Sequence, residues 1–400
     1  MNLFSVESLN TLWEKMRTHP ITRNKKELPV GVDGMSCEAF EKYITNNLTE
    51  ISRKILISND SRCNYHFAPL LRIEKNKFAG GVRYLHIPRL RDQIVMRAMH
   101  NDITKSASLD NISLSSPTPS GIIKLFKKSL EKFKDPIVIR TDIKQFYDSI
   151  PREKVVEKVM SLKINTHTRN LLNNWNKELI ARLPWHSGTN SDIPIEGLPQ
   201  GLSISSSLSE LWAKDLDKLL HEYCFFRYAD DIAIICESFN EAEYILSVLQ
   251  TKIKQLDLRL SHNKTHISKL EDGVKWLGLT HYKNRVTIED EKIDRWFKKF
   301  VRMKKETAQR IANIKLQNEN ASIVKEFLND VSNEINGKTS TRIKWYAIAD
   351  NCEIWRTFDK RLHALIRSVL RQAKQKDNMQ LPSVYRKIRS IKKQDCLNAN

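Results

Sequence analysis

The amino-acid sequence predicts an α+β fold in which helices cover an antiparallel sheet. Residues 137–139 form a short run rich in β-branched side chains, which is typical of a buried strand. Residues 225–229 and 232–236 are apolar runs separated only by two acidic residues, a pattern that indicates a tight β-hairpin. Apolar residues recur at helical spacing within residues 90–99 and again beyond residue 290, which predicts amphipathic helices.

The N-terminal part of the chain is expected to combine short helices with extended chain. Residues 5–55 contain helical stretches around a Gly-Val-Asp-Gly turn at residues 31–34, and a basic, extended stretch follows up to Pro88. A helix is predicted just after Pro88, because the apolar residues between 90 and 99 fall on one helical face.

The middle of the chain carries the strongest strand signals. The strand at residues 137–139 leads directly to Asp142, so it delivers a carboxylate at its end. Helices are expected between about residues 151 and 183 and between about residues 201 and 220. The hairpin then places two aspartates at its tip, and another helix is expected to reach about residue 256.

Beyond about residue 290 the chain becomes strongly basic and helical in pattern. Ile293, Trp296 and Phe300 recur at spacings of three to four, and residues 355–365 form a second amphipathic run. We therefore expect a separate helical domain. Its tryptophans either stack on nucleic-acid bases or pack in the core, and their helical spacing favours packing; they are Trp296, Trp345 and Trp355.

The charge balance indicates a polyanionic partner. The 400 residues include 67 lysines and arginines against 47 aspartates and glutamates, for a formal net charge of +20 and a pI near 9.6. A surplus of this size is typical of proteins that bind nucleic acid. The alternative is a basic protein with no such partner.

The cysteine pattern and the apolar pattern argue against several classes of protein. The six cysteines are scattered, without a Cys-x-x-Cys pair or a histidine at ligand spacing, so neither a disulfide framework nor a zinc site is expected. The N-terminus lacks a basic segment followed by an apolar run, and no stretch of about 18 apolar residues occurs. We therefore expect a cytoplasmic protein with no membrane partner.

The acidic pair at the hairpin tip is the strongest indication of chemistry. Asp230 and Asp231 repel each other and resist desolvation, so the arrangement is costly unless a cation neutralises it. Asp142 is the natural third carboxylate of a Mg²⁺ site. Two such ions would activate an attacking hydroxyl and stabilise a leaving pyrophosphate, which is nucleotidyl transfer. The alternative is a solvated Asp-Asp turn, but the apolar flanking strands favour the metal site.

A series of motifs along residues 70 to 280 resembles those of bacterial reverse transcriptases. The hairpin sequence Phe226-Arg227-Tyr228-Ala229-Asp230-Asp231 is similar to the Tyr-x-Asp-Asp signature of that family. The strand end Arg140-Thr141-Asp142-Ile143-Lys144-Gln145-Phe146-Tyr147 is similar to its first catalytic motif. Four further segments are similar to motifs of the family and stand in its order. They are the fingers motif at Arg83–Pro88, the Pro-Gln-Gly loop at Gly197–Ser203, the lysine motif at Leu260–Thr265 and the primer grip at Trp276–Gly278.

This resemblance implies a right-hand polymerase fold with fingers, an antiparallel-sheet palm and a helical thumb. Residues 1–135 would form an N-terminal extension and the fingers. Residues 136–284 would form the palm, with fingers helices interleaved at about residues 155–195. Residues 285–400 would form a basic helical thumb and C-terminal tail that follow a template-primer duplex.

The resemblance also implies a metal set. Asp142, Asp230 and Asp231 would hold two Mg²⁺ ions, with the Ile143 carbonyl completing the metal shell and Mn²⁺ as a substitute. The same three aspartates would then be the catalytic carboxylates of the enzyme.

A nucleotide site is implied by the neighbouring motif positions. Tyr147 matches the aromatic residue that lies under the incoming sugar and excludes a ribose 2′-hydroxyl, with Phe146 beside it, so DNA precursors are implied. Gln200 and the backbone at Gly201 would cradle the nucleotide, and Arg83 would hold its triphosphate. The alternative for Tyr147 is a tyrosine of the core. The alternative for Gln200 and Gly201 is a turn with a helix cap, and the alternative for Arg83 is a surface charge.

Further residues follow from the same resemblance. Lys77 would help Arg83 to bind the triphosphate, and Lys264 would protonate the leaving pyrophosphate, although an ordinary solvated lysine is the alternative at either position. Trp276, Leu277 and Gly278 would form the primer grip.

The implied function is RNA-directed DNA synthesis from deoxynucleotides on a structured non-coding RNA, in antiphage defence. A compact core with a basic helical tail, and without a nuclease, zinc-binding or RNase H pattern, is similar to retron and phage-defence enzymes. The partners would be the RNA template, the DNA product and deoxynucleoside triphosphates. One alternative is template-independent or protein-primed DNA synthesis of the abortive-infection kind. The other is an RNA-binding scaffold or maturase-like helper.

Overall fold

The structure is a computed structural model of the chain, and it describes most of the residues. The predicted residues Lys77 and Trp345 lie outside the described part. The described ranges are 2–18, 28–57, 64–76, 81–109, 119–184, 192–219, 222–313, 317–336, 346–350, 352–375 and 381–397.

The chain divides into two compact units. The first comprises Met1–Ser115, Thr141–Ile232 and Glu243–Thr265. The second comprises Ser116–Arg140, Ala233–Ala242 and His266–Asn400. In chain order the helices of the described residues are α1 (Val6–Thr18), α2 (Cys37–Lys42), α3 (Ile44–Leu56), α4 (Leu90–Ser106), α5 (Pro119–Leu130), α6 (Phe146–Ser149), α7 (Arg152–Met160), α8 (Thr166–Lys177), α9 (Ser203–Leu219), α10 (Phe239–Gln255), α11 (Asp290–Ala312), α12 (Gln317–Asn336), α13 (Cys352–Gln372) and α14 (Val384–Leu397).

The strands form three sheets, and the predicted α+β class is confirmed. One sheet has the order β2-β1-β4-β5, a second β6-β7-β3-β8, and a third β11-β10-β9. In the second sheet β3 pairs antiparallel with β8. The strands are β1 (Leu70–Asn76), β2 (Val82–Ile87), β3 (Ile137–Asp142), β4 (Ile180–Arg182), β5 (Ile193–Pro194), β6 (Cys224–Tyr228), β7 (Asp231–Cys236), β8 (His266–Lys269), β9 (Val274–Trp276), β10 (Leu279–His281) and β11 (Val286–Ile288).

The core of the first unit is built on α4 and α9, which pack against each other. The helix predicted after Pro88 is α4, and its apolar side chains Ile94, Val95 and Met99 are fully buried. Burial of such side chains is the main source of stability in a core of this kind. Helix α9 follows the Pro-Gln-Gly loop, so this packing fixes the helix to which the loop leads.

The core of the second unit contains an aromatic cluster between α11 and α13. Trp296 of α11 stacks on Phe358 of α13 with ring centroids 4.9 Å apart. Trp296 and Trp355 are buried, so of the two alternatives for these tryptophans core packing is confirmed. Val301, which follows Phe300 on α11, is instead exposed. In the described part of the chain, no helix combines the length and apolarity that crossing a membrane requires.

Candidate active site

Asp142 lies at the end of β3, where the backbone is held on two sides. The Ile143 N–H donates to the Asp230 carbonyl oxygen at 2.9 Å. The Ser261 N–H donates to the carbonyl oxygen of Asp142 itself at 2.8 Å. The chain at the end of the strand is therefore hydrogen-bonded on one side to the hairpin turn and on the other to the segment around Ser261. Asp142 consequently lies beside the turn that carries Asp230.

The turn of the β6–β7 hairpin differs from the prediction by one residue. Strand β6 ends at Tyr228 and β7 begins at Asp231. Ala229 has a φ of 53°, in the left-handed region that alanine rarely adopts. The turn therefore consists of Ala229 and Asp230, and Asp231 is the first residue of a strand rather than part of the tip.

Asp230 and Asp142 influence each other electrostatically. Burial raises the pKa of Asp230 above its ordinary value, and the negative charge of Asp142 raises it further, while Lys264 and Arg83 act in the opposite direction. The Lys264 ammonium donates to Asp142 Oδ2 at 2.7 Å. Lys264 was predicted to act on the leaving pyrophosphate, and in the structure it is the counter-ion of Asp142.

The oxygen donors of this site fit a divalent cation. Two carboxylates that repel each other in a partly buried site are stabilised by a hard cation, and the Lys264 ammonium on Asp142 shows that positive charge is accommodated there. Among the described residues, no three histidine, cysteine or acidic side chains are grouped as a complete metal site. Substrate phosphates and water commonly supply the remaining ligands of Mg²⁺.

Tyr147 lies in α6, directly after the Asp142 strand. Burial raises the pKa of the Tyr147 phenol, although the hydroxyls of Ser209 and Ser206 on α9 bond to it and oppose the increase. Its ring meets Phe146 edge-on, with centroids 5.7 Å apart. Phe146 is buried and Tyr147 is only half-buried, so Tyr147 is the member of this pair that a ligand can reach.

The Pro-Gln-Gly loop is docked against α6 through its backbone. The Leu198 N–H donates to the Tyr147 carbonyl oxygen at 2.8 Å. Gly197 has a φ of +62°, and a Cβ atom at this position would lie 2.6 Å from the same oxygen. Only glycine fits this close approach. The loop and the Tyr147 backbone are therefore held together at Gly197.

Replacing Gly197 by alanine is expected to destabilise the protein by about 3 kcal/mol, because strain from positive φ adds to a backbone clash. Gly34→Ala is the matched control, since Gly34 has a similar φ of +67° but no atom within 4 Å of the position that a Cβ would occupy. We expect a cost of about 1 kcal/mol for the control. Urea unfolding measures both, and equal costs would contradict the proposed docking of the loop.

The predicted nucleotide residues Gln200 and Gly201 lie against β2. The His86 N–H donates to the Gln200 carbonyl oxygen at 2.8 Å, and a Cβ atom at Gly201, where φ is +108°, would lie 2.8 Å from the His86 carbonyl oxygen. Arg83, on the same strand, is exposed, and its charge acts on Asp230. The structure thus brings the Pro-Gln-Gly loop to β2 and leaves the Arg83 guanidinium accessible.

The predicted primer-grip residues are the last residue of β9 and the two residues of the turn between β9 and β10, in the second unit. Leu277 and Gly278 have positive φ values of 45° and 84°. Trp276 is fully buried and packs on Phe126, with ring centroids 4.7 Å apart. The Trp276 side chain therefore anchors the turn in the core, and the contact of this turn with a primer stays a prediction.

Three residues that contact the site carry no functional signature of their own in the sequence. Arg227 is fully buried two residues before the hairpin turn, and Ser206 and Ser209 bond to Tyr147. Arg227 had one signal in the sequence, a charged residue in an otherwise apolar strand. The two serines had only their spacing of three along a predicted helix, which many exposed serines share.

Comparison with known families adds an independent observation. The family model described as reverse transcriptase (RNA-dependent DNA polymerase) matches residues 73–281, more than half of the chain. The chain belongs to the reverse transcriptase family. Members of this family are RNA-directed DNA polymerases, a class of nucleotidyltransferase, and they use divalent metal ions. The predicted enzyme class is confirmed for this reverse transcriptase.

Relatives of this reverse transcriptase are distant in sequence. Protein YkfC of Escherichia coli (strain K12) is 26% identical over 303 residues, covering 62% of this chain and 74% of YkfC. Apo telomerase from Candida tropicalis aligns with a TM-score of 0.47 at 10% identity, covering 94% of this chain and 74% of that one. Telomerase from Candida albicans in complex with the TWJ fragment of telomeric RNA aligns with a TM-score of 0.46 at 11% identity, covering 89% and 68%. Structural similarities of this size carry no functional inference.

Proposed function

We propose that this reverse transcriptase copies a dedicated, structured non-coding RNA into DNA with Mg²⁺ as its metal, and that it does so in the cytoplasm as part of antiphage defence. The observation that supports the catalytic part is the hydrogen bond from Ile143 to the Asp230 carbonyl, because it keeps Asp142 beside the hairpin turn. The biological part is supported by the similarity of the motifs to those of retron and phage-defence enzymes.

The proposed metal ligands are the Asp142, Asp230 and Asp231 carboxylates with the Ile143 carbonyl. Two bound ions would activate the 3′-hydroxyl of the primer and stabilise charge on the leaving pyrophosphate. Lys264, which donates to Asp142 in the structure, would supply the ammonium that protonates the leaving pyrophosphate.

The proposed nucleotide site surrounds Tyr147. The half-buried Tyr147 ring supports the deoxyribose and leaves no room for a 2′-hydroxyl. The main chain at Gln200 and Gly201, which is docked on β2, forms one side of this nucleotide site. The exposed Arg83 binds the triphosphate, for which a guanidinium is well suited.

We further propose that residues 1–135, 136–284 and 285–400 act as fingers, palm and thumb. Helix α11, at the start of the third region, exposes several basic side chains, which would follow the sugar-phosphate backbone of a template-primer duplex. They are Arg295, Lys298, Lys299, Arg302 and Lys305.

Affinity for an RNA–DNA duplex is expected to fall by about 1,000-fold when salt rises from about 50 to 200 mM, because each phosphate contact releases counterions. In the triple variant Lys298→Ala, Arg302→Ala, Lys305→Ala the slope of log affinity against log salt should be shallower by about 3. The exposed Lys154, which pairs with Asp257 in the first unit, provides the control Lys154→Ala. A slope that is unchanged in the triple variant would contradict the proposed thumb surface.

DNA synthesis by the purified protein tests the proposed function. The nucleic acid that co-purifies is sequenced and supplied again as template with Mg²⁺ and labelled deoxynucleotides. We expect labelled DNA complementary to that RNA from the wild type, and none from Asp230→Ala, Asp231→Ala. If the wild type, like the Asp230→Ala, Asp231→Ala variant, makes no DNA, the proposal is contradicted.

The same experiment separates the alternatives. Product that survives RNase pretreatment of the enzyme, or that stays attached to a tyrosine or serine, would indicate template-independent or protein-primed synthesis. Full biological activity of Asp142→Ala would indicate an RNA-binding scaffold, since such a role needs no carboxylate at this position.

A further inference from the structure

Arg227 is a fully buried cation within the motif that carries the acidic pair. It lies in β6, and its side chain is 1% exposed. Nε donates to Asp217 Oδ1 at 2.7 Å, and Nη2 donates to Asp217 Oδ2 at 2.6 Å and to Glu210 Oε2 at 2.8 Å. A buried guanidinium with two carboxylate partners stays protonated, and both partners belong to α9.

The remaining guanidinium nitrogen of Arg227 reaches the hairpin turn. Nη1 donates to the Ala229 carbonyl oxygen at 3.1 Å and makes a longer contact with Glu210 Oε1 at 3.4 Å. The guanidinium has five N–H groups, so these contacts use its full donor capacity. Ala229 is the residue held in the left-handed region, with a φ of 53°. Arg227 thus connects α9 to the strained peptide immediately before Asp230.

Helix α9 also contacts the other half of the site. Its residues Ser206 and Ser209 bond to the Tyr147 hydroxyl. Ser206 lies one helical turn before Glu210, and Ser209 lies about two turns before Asp217. The helix is held in the core by its packing on α4. One rigid element therefore supports both the aromatic residue of the nucleotide site and, through Arg227, the turn that bears Asp230.

The geometry points to a specific role for Arg227 as a positioning residue: its guanidinium, fixed by Asp217 and Glu210, holds the Ala229 peptide and thereby sets the direction of the Asp230 and Asp231 carboxylates. This inference rests on the proposed function of these carboxylates as metal ligands. Arg227 touches no substrate. Its loss should therefore affect the rate of the chemical step and the affinity for metal, while duplex binding is unchanged.

A variant without the three charges separates positioning from stability. In Glu210→Gln, Asp217→Leu, Arg227→Met no buried charge is left unpaired, so the fold is expected to persist. The control is Lys158→Met, Asp215→Leu, which removes another ion pair of α9, 2.5 Å long, that makes no contact with the hairpin turn. For the triple variant we expect kcat for single-nucleotide addition to fall by about 100-fold with little change in KM. The affinity for Mn²⁺, measured by electron paramagnetic resonance, should fall by about tenfold.

Arg227→Lys keeps the charge, and it provides a second test if the triple variant does not fold. A lysine has three N–H groups and cannot bind both carboxylates and the Ala229 carbonyl as the guanidinium does. We expect its melting temperature to fall, because buried hydrogen bonds are lost, and its kcat, measured below that temperature, to fall by about tenfold. Wild-type kcat and Mn²⁺ affinity in either folded variant would overturn the inference. A wild-type protein that binds Mn²⁺ but makes no DNA would instead overturn the proposed function, and the Mn²⁺ comparison would still test Arg227.

Discussion

Asp142→Asn is expected to lower the rate of deoxynucleotide addition by about 1,000-fold or more. Asparagine has nearly the same shape as aspartate, so the backbone hydrogen bonds on either side of residue 142 should persist. The charge that pairs with Lys264 and attracts a cation is lost. Single-turnover primer extension on an RNA template measures the rate, and filter binding of the same duplex shows whether template binding is retained.

The control for this prediction is Asp215→Asn, which removes a carboxylate from α9 that pairs with Lys158. Its rate should stay within about twofold of the wild-type rate, because this partly exposed ion pair contacts none of the proposed site residues. A rate for Asp142→Asn within about tenfold of the wild type, with normal duplex binding, would show that this carboxylate is not required for the chemical step.

Tyr147→Ala is expected to reduce discrimination against ribonucleotides by on the order of 100-fold, since removal of the ring creates room for a 2′-hydroxyl. The structure supports this role, because Tyr147 is accessible whereas the neighbouring Phe146 is buried. The quantity to measure is kcat/KM for a deoxynucleotide divided by kcat/KM for the matching ribonucleotide.

Tyr147→Phe keeps the ring and removes only the hydroxyl that bonds to Ser206 and Ser209. Its discrimination should remain within about fivefold of the wild-type value, because the steric barrier is the ring itself. If Tyr147→Ala discriminates as well as the wild type does, the sugar is selected elsewhere.

Local sequence patterns predicted the strands that carry the acidic residues. The apolar run at residues 137–139 and the two runs around the acidic pair are short, and their strand character is determined by neighbouring residues. The predicted turn was displaced by one residue from the turn in the structure. Ala229 in this turn has a left-handed backbone conformation, which the turn propensity of alanine does not predict. Its carbonyl oxygen accepts a hydrogen bond from Arg227.

Contacts between distant positions could not be predicted from the sequence. Lys264 and Asp142 are 122 positions apart, and their ion pair exists because residues 260–261 lie alongside the end of β3. The partners of Arg227 lie on the preceding helix, at a distance along the chain that no local pattern specifies. The sequence therefore indicated which residues carry charge near the site, but not which charges neutralise one another.

The number of Mn²⁺ ions bound in the presence of duplex and a non-reactive deoxynucleotide analogue tests the proposed carboxylate site most directly. Electron paramagnetic resonance gives this number without any dependence on product formation. Two ions per wild-type protein, and at most one in Asp142→Asn and in Asp230→Asn, is the expected result. The same number of ions, bound with the same affinity in all three proteins, would contradict the proposal that these aspartates hold the catalytic metals.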